Sequence, residues 1–236
     1  VTFCATHTLI KETPQSLSSR PLYCKRWSCS TCAPRRRWQL FQDARAGAPK
    51  TFLTLTCNPA YGLSKDHRAQ MLVNAWRKLR KRMIESDRFK EIPFIAVFEQ
   101  TKLGEPHLHI LLRVKYISHA EISNHMEFEL GAPVVWINKI QNSKRMAAYV
   151  SKYASKAPKA FVGCKRYWTS RDYIEVKSRS KPLKEKNARF FILREDEDAL
   201  KRWAEIERVQ YTTKKGWTHY SSPTNKGLRR WLQNHL

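Results

Sequence analysis

The chain has 236 residues, 42% of them hydrophobic, which is enough for one sizeable core with appendages or for two small domains. Its 45 lysines and arginines face only 20 aspartates and glutamates, and a formal charge of +25 repels itself in a compact state unless a polyanion neutralises it. No apolar run reaches the length of a membrane span and no signal-peptide core opens the chain, so a membrane partner is disfavoured and a soluble, cytoplasmic protein that binds nucleic acid is expected.

Residues 1–32 hold four of the six cysteines and show little periodicity beyond a short strand at Val1–Ile10, so something other than a large core should order them. A basic helix is expected over 34–46, with Pro34 in its first turn and Gly47 at its end. Thr51–Cys57 alternates as a strand and stops at Asn58-Pro59. Ser64 can cap a long helix to about Ser86, with Leu72, Ala75, Trp76, Leu79 and Met83 along one face. Pro93–Gln100 and His107–Val114 read as an antiparallel hairpin around Lys102–Glu105. Ser118 and Glu121 have the spacing of a capping box for a helix closed by Gly131. A strand at Pro133–Ile140 and a helix at Ser143–Ala157, stopped by Pro158, complete the pattern.

The order β-α-β-β-α-β predicts an α+β fold of the ferredoxin-like, split-βαβ type, with an antiparallel four-stranded sheet and helices on one face. Three parts are expected: a Cys-rich segment with its basic helix over 1–50, the core over 51–160, and a basic aromatic C-terminal extension over 161–236 that includes a helix from Glu195 to Arg208.

His107 and His109 flank Leu108, so on a strand both imidazoles share one face, about 7 Å apart, while Leu108 and Ile110 serve the core. Glu99 on the neighbouring strand is the natural third donor, and Gln100 competes because a one-residue slip in register exchanges them. Two imidazoles and a carboxylate with open positions suit Mg²⁺ or Mn²⁺ against a phosphate oxygen, with Zn²⁺ also compatible. A solvated strand face would give the same pattern.

Tyr149-Val-Ser-Lys152 is followed at once by Tyr153-Ala-Ser-Lys156, and helical spacing lays all four named side chains along one stripe. A phenolate, with an ordinary pKa of about 10, becomes an available nucleophile when a lysine or a metal stabilises it. A packing stripe at the boundary of a core is the competing explanation. Arg35-Arg36-Arg37-Trp38 and Lys165-Arg166-Tyr167-Trp168 set cations beside rings, as surfaces for unpaired bases do.

These residues together resemble the HUH endonuclease superfamily of rolling-circle replication initiators. Phe52-Leu-Thr-Leu-Thr56 resembles its structural strand motif, Glu105-Pro-His-Leu-His109 its metal-binding motif, and Tyr149-Val-Ser-Lys-Tyr153 its catalytic motif. The doubled tyrosine is similar to the replication proteins of microviruses, single-stranded DNA phages, and their prophage relatives. The resemblance implies metal-dependent nicking of single-stranded DNA at an origin, in linear or hairpin form, through a 5′-phosphotyrosine. Tyr149 and Tyr153 would alternate as nucleophiles, with Lys152 and Lys156 offsetting phosphate charge. It also implies a host helicase, since the chain has no P-loop motif, and a host polymerase primed by the released 3′-hydroxyl.

Cys24-x4-Cys29-x2-Cys32 precedes the basic helix and has the spacing of a structural zinc site. Resemblance to the microvirus proteins favours Cys4 as fourth ligand, and His7 is the alternative. Two other functions share many of these features. One is a two-tyrosine HUH transposase, and the other is a non-enzymatic RRM-like or zinc-containing module for single-stranded nucleic acid.

Overall fold

The computed structural model describes residues 3–13, 16–59, 62–156, 161–174, 188–206 and 208–220. The helix stop at Pro158, the side chain of Lys156 and the segment containing Trp231 lie outside what is described. In chain order the elements are β1 (Thr8–Glu12), β2 (Leu17–Pro21), α1 (Cys32–Ala46), β3 (Thr51–Leu55), α2 (Lys65–Glu85), β4 (Phe94–Gln100), β5 (Pro106–Leu112) and α3 (His119–Leu130). They continue with β6 (Trp136–Lys139), α4 (Ser143–Lys156), β7 (Tyr167–Thr169), β8 (Arg189–Leu193), α5 (Glu197–Ile206), β9 (Tyr211–Lys214) and β10 (Trp217–Tyr220). The protein is α+β. It divides into two compact units, Pro34–Lys177 and a second that joins Val1–Ala33 to Ser178–Leu236, so the ends of the chain come together where sequence reading separates 1–50, 51–160 and 161–236.

The larger unit contains the expected β3-α2-β4-β5-α3-β6 series. Its sheet runs β6-β3-β5-β4-β7 with every neighbour antiparallel, so it has five strands and not four. The added strand, β7, is too short to show a period. It is held by backbone pairing to the edge of β4, extended by Phe98 N–H to Arg166 C=O at 2.9 Å and Ser170 N–H to Phe94 C=O at 2.9 Å.

Period-two alternation sorts the sheet faces. Leu53, Leu55, Ala96, Phe98, Leu108 and Ile110 enter the core with Leu72, Trp76, Leu79 and Met83 of α2 and Ile122 and Met126 of α3. The opposite face is not left open, as helices on one face alone would require, because α4 lies against β4 and its rings meet side chains of β3 and β5. Local chemistry sets the helix ends: Ser64 accepts from His67 N–H at 3.2 Å, Ser118 accepts from Glu121 N–H at 3.5 Å, and Gly131 takes the left-handed conformation with φ 55°. The Glu121 carboxylate pairs with Arg88.

In the second unit the sheet order is β8-β1-β2-β10-β9. Residues 1–32 therefore do have a core. Ile10, Leu17, Leu193 and Tyr220 pack with Leu200, Trp203 and Ala204 of α5. The N-terminal strand sits at Thr8–Glu12 rather than Val1–Ile10, and its partner β8 comes from the far end of the chain, a pairing no local pattern reveals. Glu197 accepts from Ser19 Oγ at 3.0 Å and Thr218 Oγ1 at 2.6 Å, tying α5 to β2 and β10. Among the described residues no helix is long and apolar enough to cross a membrane.

Leu108 is fully buried between the two histidines of β5. Leu108→Ala should destabilise the larger unit by about 2–5 kcal/mol through lost burial and the cavity left behind. Urea unfolding followed by circular dichroism measures this, and an unchanged midpoint would contradict the assignment of β5 to the core.

Candidate functional site

On β5 the residues opposite Leu108 and Ile110 are His107 and His109. In register, His107 lies across from Glu99, while His109 lies between Val97 of β4 and Thr54 of β3. His109 is buried and held at both nitrogens, with Thr54 Oγ1 2.9 Å from Nδ1 and Glu99 Oε2 2.6 Å from Nε2. Burial, and then the neighbouring His109, lowers the pKa of His107 and favours its neutral, ligating form. Gln100 sits across from Pro106, is exposed, and donates to Gly104 C=O at 3.4 Å, so it serves the hairpin turn.

Helix α4 buries Ala147, Val150, Ser151 and Ala154 and brings both tyrosines to the histidine face. The two phenol rings are 4.4 Å apart between centroids, and they lie 5.8 Å (Tyr149) and 6.1 Å (Tyr153) from the His109 ring. Phe52 packs against His109 at 5.4 Å and edge-on to Tyr149 at 5.8 Å, so the strand motif supplies a wall of the site. Burial, then the charge and hydrogen bond of Tyr153, pushes the Tyr149 phenol up to about 12. Lys152 is exposed one turn along the same helix.

His107, His109 and Glu99 could hold a divalent cation by kind and by face. They are less converged than the cysteines: among the described residues, Cys4, Cys24, Cys29 and Cys32 form the group whose ligand atoms all lie within 4.8 Å of one another. A tetrahedral zinc with Zn–S bonds of about 2.3 Å sets its sulfurs about 3.8 Å apart, so these four cysteines could bind zinc with little movement. Cys4 and Cys29 are 2.8 Å apart and Cys24 and Cys32 are 3.6 Å apart. Hydrogen bonding with Cys4 lowers the Cys29 thiol to about 6 and raises that of Cys4 to about 12, as expected when neighbouring thiols share protons. His7 instead meets Thr6 Oγ1 at 3.0 Å and the Phe3 ring at 5.2 Å. Cys57 and Cys164 lie apart from the cluster.

The basic residues divide. Arg35, Arg37 and Lys165 are exposed and available to a polyanion, whereas Arg36 and Arg166 are half-buried. Arg166 Nη1 donates to Ala154 C=O at 2.6 Å, and its pKa is lowered by burial and then by Arg36, so its guanidinium braces the end of α4. Sequence reading gave Arg166 no such contact and passed over Thr54, whose part depends on strand register.

The fold thus defines an α+β unit with histidines, a carboxylate and two tyrosines gathered on one sheet face. Residues 50–158, which span β3 to α4 and contain all five of those side chains, match the family described as Replication-associated protein ORF2. That match supports a Rep-like protein with a role in initiating DNA replication. No curated protein and no solved structure matches the chain.

The full chain, purified without chelators, should carry about one zinc per molecule by atomic absorption. Combined Cys24→Ala and Cys29→Ala substitution should abolish it and lower the melting temperature. Four freely reactive thiols in the metal-replete protein would argue against the site.

Proposed function

We propose that the chain is an HUH-type endonuclease that nicks and rejoins single-stranded DNA at a specific site through a 5′-phosphotyrosine, and so initiates rolling-circle replication in the manner of the two-tyrosine microvirus proteins it resembles. The observation that carries this reading is the placement of the Tyr149 and Tyr153 rings beside His109, on a helix laid across the strand pair that bears Glu99 and His107. The family match over 50–158 supports it, because replication initiators are generally endonuclease-like enzymes.

His107, His109 and Glu99 would hold Mg²⁺ or Mn²⁺, which when bound polarises a phosphate oxygen and offsets developing charge. The donors suit such an ion: the Nδ1 contact with Thr54 aims His109 Nε2 at Glu99, where a cation would replace the present hydrogen bond. In the reaction, one tyrosine Oη attacks phosphorus, the P–O3′ bond breaks as the P–Oη bond forms, and the departing oxygen takes up a proton as a 3′-hydroxyl. The phosphodiester is conserved in the tyrosyl link, so rejoining needs no nucleotide. Lys152 lies one turn from Tyr149 to offset phosphate charge, and Lys156 has the same spacing from Tyr153. Strand separation and synthesis fall to a host helicase and polymerase, and the zinc site orders the start of the basic helix.

Incubation with a diverse single-stranded oligonucleotide pool and Mn²⁺ should give an adduct that survives denaturation and that EDTA prevents. Tyr149→Phe with Tyr153→Phe should abolish it, each single variant should retain part, and His109→Ala should lower its yield about 10- to 100-fold. An adduct that persists in the double tyrosine variant, or one that never forms in the intact protein, would sink this reading.

A further inference from the structure

Trp136 opens β6 at the free edge of the sheet and is 64% exposed, while its neighbour Ile137 packs against the core. Its register partner is Thr54, which in turn lies across from His109 and contacts that ring at 2.9 Å. Residues paired across antiparallel strands share a face, so the indole stands on the histidine and tyrosine face, two strands or about 10 Å from His109. Asn138, across from Phe52, lies on the same face and is exposed. Further along the strand is a cavity of about 300 Å³ lined by Asn138, Lys139, Thr51, Lys115 and Tyr116, with both lysines and the Tyr116 ring exposed.

From the candidate site outward, the surface therefore offers an indole, an amide, a phenol and two ammonium groups. A single exposed ring among cations, on a chain of charge +25, fits a base better than an apolar protein surface, since every base has a π-face and is tethered to phosphates. We propose that Trp136 is a stacking platform for an unpaired base of single-stranded DNA, held close to the phosphate that occupies the histidine face, with Lys139 and Lys115 taking backbone phosphates beyond it. This rests on the reading that the same face handles a DNA strand, but it concerns binding and not cleavage.

The test uses the full chain with Tyr149→Phe and Tyr153→Phe, so that nothing is cut, titrated with a short oligothymidylate and with an abasic chain of equal length. Trp136→Ala should weaken the oligothymidylate about five- to a hundredfold and leave the abasic chain unchanged, and Trp136→Phe should restore most of the loss. The salt dependence should be unaltered by Trp136→Ala and reduced by about one ion for Lys139→Ala. Equal weakening of both ligands, or of neither, would overturn the proposal. So would a change in oligomeric state with unchanged binding, which would make the indole a contact between copies. Adduct formation by the unsubstituted chain is scored separately: no adduct with the stacking difference intact removes the nicking reading and keeps the platform, and the reverse removes only the platform.

Discussion

The larger unit depends on the alternation of β5. A strand turns successive side chains to opposite faces, so the burial of Leu108 and Ile110 against α2 and α3 obliges His107 and His109 to face the other way. The hydrophobic core thereby fixes the register of polar groups it never touches. A slip by one residue would bury both imidazoles and expose both aliphatics, a penalty large enough that the register has no close competitor. Glu99 and Thr54 inherit their places from the same constraint, because β4 and β3 pair on either side of β5 with their own apolar residues committed to the core.

How much of this was legible depended on how far a pattern had to reach. Helix limits were local and came through: Ser64, Ser118 and Gly131 mark their ends by hydrogen bonding and backbone conformation that need no tertiary context. The face shared by His107 and His109 was also local. The contact of Thr54 with His109 joins residues 55 apart, and only the assembled register discloses it. β7 has three residues and is defined by what it pairs with, so the sheet looked one strand smaller than it is. The pairing of β1 with β8 joins opposite ends of the chain, which is why no core was visible for residues 1–32.

Arg166 shows why charge in a sequence is a poor guide to a nucleic-acid surface. Its neighbours Lys165 and Tyr167 make the segment look like an outward-facing basic, aromatic patch. Yet alternation along β7 and the approach of α4 turn Arg166 inward to a helix carbonyl, while Lys165 remains exposed. Of the two arginine-rich stretches, the exposed members are the ones that can exchange counterions for phosphates.

The closeness of the tyrosines constrains the proposed chemistry. With centroids 4.4 Å apart and both rings beside one imidazole, they share one environment, not two independent sites. Burial already disfavours the Tyr149 phenolate, and the charge of Tyr153 disfavours it further. Ionising one phenol therefore makes the other harder to ionise, so the pair suits attack in turn better than attack together. A phosphotyrosyl link on either ring adds negative charge to the same face and strengthens that opposition until cations offset it. Alternation between nucleophiles would then follow from electrostatics within the pair, with the exposed Lys152 and a metal held by His107, His109 and Glu99 as the groups able to release the second tyrosine once the first is occupied.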